Sequence, residues 1–247
     1  MRALLLIVAQ LSWMSATRAA EVVSPEDFGL PNAAGGEVFI VPNTFAPSAR
    51  AQQVFGAADF SNLDAPKLLI SDIRFGVSHD FMFETRFLEN VQIDFSTTSR
   101  NPDDLSTTYA LNIGSDETLV YSGPLAFGAN PTTGFQVYIH LQTPFLYDPG
   151  AGNLLMDVRN FVAAPNIRFP PNAVVEAYDI VGDTTSTVYG YDVNSPTASF
   201  ATSKGLGTAF VYTPVPEPST VVLLLVGIVL VSFTRLRKAK RRSANMT

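Results

Sequence analysis

Asn90-Val-Gln-Ile-Asp-Phe-Ser-Thr-Thr98 alternates apolar and polar residues with a period of two. In an extended chain that spacing puts Val91, Ile93 and Phe95 on one face and Gln92, Asp94 and Ser96 on the other, so the segment reads as a strand with one wet face. The same reading holds at 134–142, where Phe135, Val137, Ile139 and Leu141 share a face, and at 153–160, where Leu154, Met156 and Val158 point inward. Further strands are expected at 37–41, 51–55, 67–77, 117–122, 173–181, 187–193 and 206–213. The run 67–77 does not alternate cleanly, which fits a central strand covered on both faces. Turn residues separate these runs, Asp148-Pro-Gly-Ala-Gly152 above all. Short strands with turns between them predict an all-β chain, a two-sheet β-sandwich of the jelly-roll kind. One short helix is expected at 102–112, with Asn101 as N-cap, Pro102 at the first helical position, Asp103 and Asp104 in the positive first turn, and Gly114 as its stop.

Composition supports this reading. Charged residues make up 15% of the chain, below the roughly 25% of ordinary soluble domains, and Ser, Thr, Asn and Gly supply much of the polarity. There is no cysteine, which excludes a disulfide framework and a thiol nucleophile together. Stability must therefore come from a packed core, and the span 20–215 is long enough to enclose one.

Both ends read as addresses. Met1-Arg2 precedes an apolar run, and the chain turns small and polar before Ala19 and Ala20, the layout of a secretory signal peptide cut after Ala19. This assigns residues 1–19 to the signal, which carries away Trp13, the only tryptophan. Secretion translocon and signal peptidase are the partners such a segment requires. At the other end, residues 220–234 form an uncharged apolar run containing Val221, Leu223, Leu224, Leu225, Ile228, Leu230 and Phe233. A helix over that run is short of the roughly 30 Å hydrocarbon core. The flank decides the reading: Arg235, Arg237, Lys238, Lys240, Arg241 and Arg242 form a basic cytoplasmic tail over 235–247. Snorkelling arginines extend the reach of the short anchor, so a single transmembrane helix in the membrane is expected.

Between these ends lies an exported span, 20–214, that holds most of the negative charge. From Ala20 to Ser219 there are eight basic and 22 acidic residues, a net charge of −14 against −6 for the whole chain. Such a surface repels phosphate backbones, so no nucleic-acid partner is expected, and it attracts cations.

Pro216-Glu217-Pro218 stands immediately before the apolar run, where two prolines hold the backbone extended and withhold donors. Tripeptide, short helix and basic end together resemble the PEP-CTERM sorting signal of Gram-negative bacteria, here residues 215–247. The resemblance implies an exosortase, an integral-membrane cysteine transpeptidase, that recognises Pro216, Glu217 and Pro218 and removes the anchor during export to the cell surface or extracellular matrix. A second resemblance, carried by Phe95-Ser-Thr-Thr98, Leu105-Ser-Thr-Thr108, Tyr121-Ser-Gly-Pro124 and the run from Pro144 to Arg159, is to a recurrent ectodomain found beside such tails. It implies domain limits and no assigned activity.

Candidate chemistry is sparse. Only His79 and His140 are present. His140 sits on the polar face of its strand with Gln136, Tyr138 and Gln142, which reads as an exposed bystander, and His79 precedes Asp80 in a loop. Two isolated histidines do not make a zinc site. Asp94, Asp157 and Glu176 are the acids that a carboxylate-pair glycoside hydrolase would draw on, although solvated strand faces explain them more simply. Arg159, beside Asp157, is placed to pair with an acid on an adjacent strand. Asp103, Asp104, Asp116 and Glu117 offer hard oxygens suited to calcium, with capping and solvation as the simpler account. No phosphate-cradling glycine loop is present. The expectation is a noncatalytic exported surface or matrix protein with no cofactor. Its first rival is a carbohydrate-binding module for exopolysaccharide using Tyr109, Tyr121, Tyr138, Tyr147 or Tyr178, and its second an exported hydrolase.

Overall fold

The computed structural model describes residues 19–25, 39–40, 48–63, 65–76, 86–127, 135–161, 176–179 and 182–215. Thirteen strands lie in them: β1 (Ala20–Ser24), β2 (Phe39–Ile40), β3 (Arg50–Phe55), β4 (Lys67–Gly76), β5 (Arg86–Thr98), β6 (Thr118–Phe127), β7 (Phe135–Tyr147), β8 (Asn153–Asn160), β9 (Glu176–Asp179), β10 (Thr185–Gly190), β11 (Phe200–Thr202), β12 (Lys204–Leu206) and β13 (Thr208–Val215). They form a four-stranded sheet, β1-β13-β4-β7, a six-stranded sheet, β11-β10-β3-β8-β5-β6, and a small three-stranded sheet, β12-β9-β2.

The pairings are nested. β5 pairs with β6, β4 with β7, β3 with β8, β2 with β9 and β1 with β13, all those with registered partners being antiparallel. Successive pairs from β5/β6 outward fall alternately in the six-stranded and the four-stranded sheet, apart from the β2/β9 pair in the small sheet. A long antiparallel ribbon wrapped in this way is a jelly roll, so the expected all-β sandwich is the observed one. β4 lies between β13 and β7 and is central as expected, but its outer face is open, with Leu69 exposed; an irregularity in register between Ile70 and Asp72, and not cover on both faces, interrupts its alternation.

The core fills the space between the two larger sheets. Ile70, Ile73, Ile139 and Phe210 from one sheet meet Val91, Ile93, Phe95 and Met156 from the other, all buried. Aromatic edges order this interior: Phe55 meets Phe210 edge-on at 4.9 Å, and Phe95 meets Phe145 at 5.7 Å.

Two expectations are corrected here. The helix at 102–112 is absent: Asp103 has φ of +62°, and only Tyr109–Leu111 close a short 3-10 turn. Side chains compete with the helix for its backbone groups. Asn112 Oδ1 accepts from the Ser106 N–H at 2.8 Å, Asn112 Nδ2 donates to the Ser106 carbonyl at 2.7 Å, and the Thr107 carbonyl accepts from Ala198 N at 2.7 Å.

The second correction concerns the face of β5 expected to be wet. Asp94, Ser96 and Thr98 are buried. The segment 99–117, which contains the 102–112 span expected to be helical, lies across this face of the six-stranded sheet instead. Asn112 Nδ2 donates to Gln52 Oε1 at 2.8 Å, Gly114 N to Ser96 Oγ at 3.1 Å, and the Tyr109 hydroxyl to the Arg50 carbonyl at 2.9 Å. Gly114 is what allows this approach, since a Cβ there would stand 1.8 Å from the Thr97 carbonyl oxygen.

Candidate functional site

The outer face of the four-stranded sheet gathers a cluster of titratable side chains. Ile73, Phe75, Val137 and Ile139 point into the core, so the pleat turns Asp72 and Arg74 of β4 and Tyr138 and His140 of β7 outward. The register sets Asp72 opposite His140 and Arg74 opposite Tyr138. Asp72 accepts from Ser71 Oγ at 2.7 Å and lies 2.7 Å from His140 Nδ1. Burial opposes ionisation of Asp72, but hydrogen bonds from Ser71, His140 and Tyr138 outweigh it and hold the carboxyl below its usual range. Arg74 lies over the Tyr138 ring at 4.7 Å and pairs with Glu21 at 2.7 Å. His140 is thus exposed, as expected, yet oriented by a carboxylate, which the sequence pattern did not reveal.

An Asp-oriented imidazole is the supporting half of an acyl-transfer triad. Here Ser71 donates to the carboxylate that also holds His140, so the order is Ser-Asp-His and the hydroxyl is not placed on the imidazole. The cluster presents hydrogen-bonding groups and a ring on an open sheet face.

Asp94 and Asp157 do come together, as cross-strand partners of β5 and β8. They lie under the 99–117 segment and are 6% and 2% exposed. Arg50 grips Asp157 through Nε and Nη2, the closest contact being 2.6 Å, and Gln52 Nε2 adds a bond at 2.7 Å. Arg50 itself stacks over Tyr109 at 4.3 Å. Burial raises the Asp94 carboxyl, with the Gln92 amide opposing at 2.7 Å. Arg159 Nη2 reaches Asp157 of its own strand at 3.5 Å and Glu117, beside β6, at 3.9 Å. Glu176 belongs to β9 in the small sheet, away from the register of the other two. Asp157 therefore belongs to a buried polar network, running through Gln52 to Asn112, that pins 99–117 to the sheet, while Asp94 takes its bond from Gln92 of its own strand.

The expected calcium ligands disperse. Asp103 accepts from Gly182 N at 2.9 Å, Asp116 from Thr97 N at 2.7 Å, Glu117 faces Arg159, and Asp104 lies 3.9 Å from Arg100. Among the described residues no group of three or more His, Asp or Glu side chains is placed to hold a metal ion. His79 lies outside the described residues.

Of the tyrosines expected as ring platforms, Tyr109 and Tyr147 are core residues, because each hydroxyl finds a backbone carbonyl inside the fold. Burial pushes the Tyr109 hydroxyl up to about 12. Tyr121 bonds the Pro124 carbonyl, Tyr138 is 54% exposed, and the Tyr178 side chain lies outside those described. An aromatic group that the sequence reading missed lies elsewhere. Tyr189 and Phe200 are cross-strand partners of β10 and β11, with rings stacked at 5.0 Å and 22°. Tyr191 meets them edge-on at 6.2 and 5.9 Å. Their separation in sequence hides the group, since only the pairing of β10 with β11 assembles it.

The polypeptide divides into two compact units, Met1–Pro214 and Val215–Thr247. The apolar run 220–234, the basic tail, the tripeptide Pro216-Glu217-Pro218 and residues 1–18 all lie outside the described residues. Among the described residues no helix is long and apolar enough to cross a membrane. Comparison of the chain with curated proteins and with solved structures gives no match. Comparison with protein families matches residues 214–238 to the PEP-CTERM protein-sorting motif. The chain thus carries a PEP-CTERM sorting motif, which makes it an exported protein, anchored in the membrane while an exosortase sorts it.

Proposed function

We propose that this is a noncatalytic protein of the cell surface or extracellular matrix, whose jelly roll is delivered and released through its C-terminal signal. The observation that carries the reading is the sorting motif at 214–238, which begins in the sequence at the end of the last strand, Thr208–Val215. Supporting it, the paired acids Asp94 and Asp157 are both buried, Asp157 held by Arg50 and Gln52 and Asp94 by Gln92, and Ser71 donates to Asp72 instead of to His140. Signal peptidase and the secretion translocon act first, after which the basic tail holds the anchor in the inner membrane. An exosortase then cuts near Pro216-Glu217-Pro218.

The tripeptide's value on this reading is an extended backbone with φ fixed at each proline and one carboxylate between them. Replacing all three residues by alanine restores backbone donors and lets a helix extend upstream from Val221. In an exosortase-bearing host the wild type loses its C-terminal anchor, while the triple-alanine variant accumulates as a longer membrane-bound form. Mass spectrometry of the two C-termini decides this, and equal truncation of both would leave the tripeptide an ordinary linker. The released wild type also lacks indole fluorescence, because Trp13 leaves with the signal; an indole emission would place signal cleavage elsewhere.

A further inference from the structure

We propose that Tyr189, Tyr191 and Phe200 form a binding platform for a neutral polysaccharide, an inference that rests on the surface location proposed above. The three rings form one group at the β10/β11 ribbon, since Phe200 is the direct partner of Tyr189 and Tyr191, one residue past the end of β10, meets both rings. Tyr191 is 43% and Phe200 46% exposed, whereas the other grouped rings among the described residues are interior. β11 is the edge strand of the six-stranded sheet among the described residues.

The platform is preorganised. The loop from Tyr191 to Ser199 is pinned to the 99–117 segment by Tyr109 N donating to the Pro196 carbonyl at 3.2 Å and Ala198 N to the Thr107 carbonyl at 2.7 Å. An isolated bridge between Thr108 and Thr197 adds to this, and Ser199 N donates back to the Tyr189 carbonyl at 2.9 Å. Rings held in this way lose little freedom on binding.

Chemistry selects the occupant. The negative face of an aromatic ring attracts the polarised C–H bonds on one face of a pyranose, and two rings at right angles to a third offer both a floor and a wall. The loop from Tyr191 to Ser199 carries Asn194, Thr197 and Ser199, exposed and uncharged hydrogen-bonding groups of the kind that match sugar hydroxyls. Asp192 and the net charge of −14 disfavour an anionic polymer, and equally a second copy of this chain.

The test uses the full chain in a detergent without a sugar headgroup. Cellohexaose, maltohexaose and xylohexaose are the neutral probes and a hyaluronate hexasaccharide the anionic one, followed by saturation-transfer NMR and calorimetry. At least one neutral hexasaccharide is expected to bind, with saturation concentrated on ring C–H protons. Y191A and F200A should each weaken that binding at least about tenfold, whereas Y138A and H140A on the other sheet leave it unchanged. Absence of binding by all three neutral probes, binding of hyaluronate alone, or wild-type affinity in both Y191A and F200A overturns the proposal. So does a dimer in sedimentation that F200A abolishes, which would make the patch a self-association edge. Export is read separately from the C-terminal mass, so failure here is distinct from failure of the surface reading.

Discussion

Gln53 and Leu206 form a two-way amide pair inside the domain. Gln53 Nε2 donates to the Leu206 carbonyl at 2.9 Å, and the Leu206 N–H donates to Gln53 Oε1 at 2.8 Å. A side chain thus imitates a strand and ties β12 of the small sheet to β3 of the six-stranded one. Gln142 does the same at the surface, where its amide both donates to and accepts from the backbone of Ser122 on β6.

Replacing Gln53 with leucine strands the buried Leu206 N–H, while the carbonyl keeps a bond from Thr208 Oγ1 at 3.0 Å. The expected cost is about 2 kcal/mol, the penalty of one orphaned buried donor. For a domain of this size that lowers Tm by about 4–8 °C. Gln142→Leu costs less, because Ser122 is exposed and water replaces the lost amide. Thermal denaturation followed by circular dichroism checks both, and equal losses would contradict the difference in burial.

Phe210 stands where three core aromatics meet, 4.9 Å from Phe55, 5.5 Å from Phe60 and 6.3 Å from Phe95. Phe210→Ala should cost about 3–5 kcal/mol, measured by urea denaturation. Phe200→Ala, at the exposed edge, should fall within roughly 1 kcal/mol of wild type. A larger loss for Phe200 than for Phe210 would mean that the β10/β11 ribbon, and not the space between the two larger sheets, is the stabilising centre.

Gly114→Ala tests the seating of the 99–117 segment. Its Cβ would meet the Thr97 carbonyl oxygen at 1.8 Å and its carbon at 2.7 Å, so the backbone itself has to shift. The expected loss is about 1–3 kcal/mol. Hydrogen exchange should rise at Tyr109 N and Asn112 N, donors within the displaced segment that bond the Pro196 and Tyr109 carbonyls. Protection unchanged at those amides would show that the segment holds without the close approach.

Asp183 introduces a pH dependence. Burial pushes its carboxyl up to about 6; bonds from the Thr185 N–H and hydroxyl oppose this, and the charges of Asp103 and Asp59 add to the rise. The folded state therefore keeps this proton to a higher pH than the unfolded chain, whose aspartates release it near 3.9. Stability contributed by the protonated form is present below about 4 and is lost as pH rises through about 6. Asp183→Asn should accordingly be more stable than wild type at pH 7, with the advantage shrinking towards pH 4. Urea midpoints across that range check the sign; an advantage that grows towards low pH would reverse it. Asp94, also raised, pulls the same way in both proteins, so the difference isolates Asp183.

The strand alternation at 90–98, 134–142 and 153–160 was legible because a strand's period belongs to the local chain, and the burial of Val91, Ile93 and Phe95 follows from it directly. The tail was legible for a similar reason: Pro216-Glu217-Pro218, the apolar run and the basic end act as a linear signal, and their order is their meaning. Asn101-Pro102-Asp103-Asp104 carried the local marks of a helix start, yet tertiary contacts won. Ala198 and Pro196 take up the Thr107 carbonyl and the Tyr109 N–H that a helix would have used, Gln52 holds the Asn112 side chain and Ser96 the Gly114 N–H, and no local propensity encodes partners so distant in sequence. That same covering turned the expected wet face of β5 into a buried one and closed Asp94 and Asp157 away from solvent. Likewise the pairing of Asp72 with His140, and of Tyr189 with Phe200, depends on which strands lie side by side and in what register. Sequence alone determined the strand-rich class and the sorting address; tertiary structure alone decided which polar residues meet, because register and sheet order are properties of the whole packed chain.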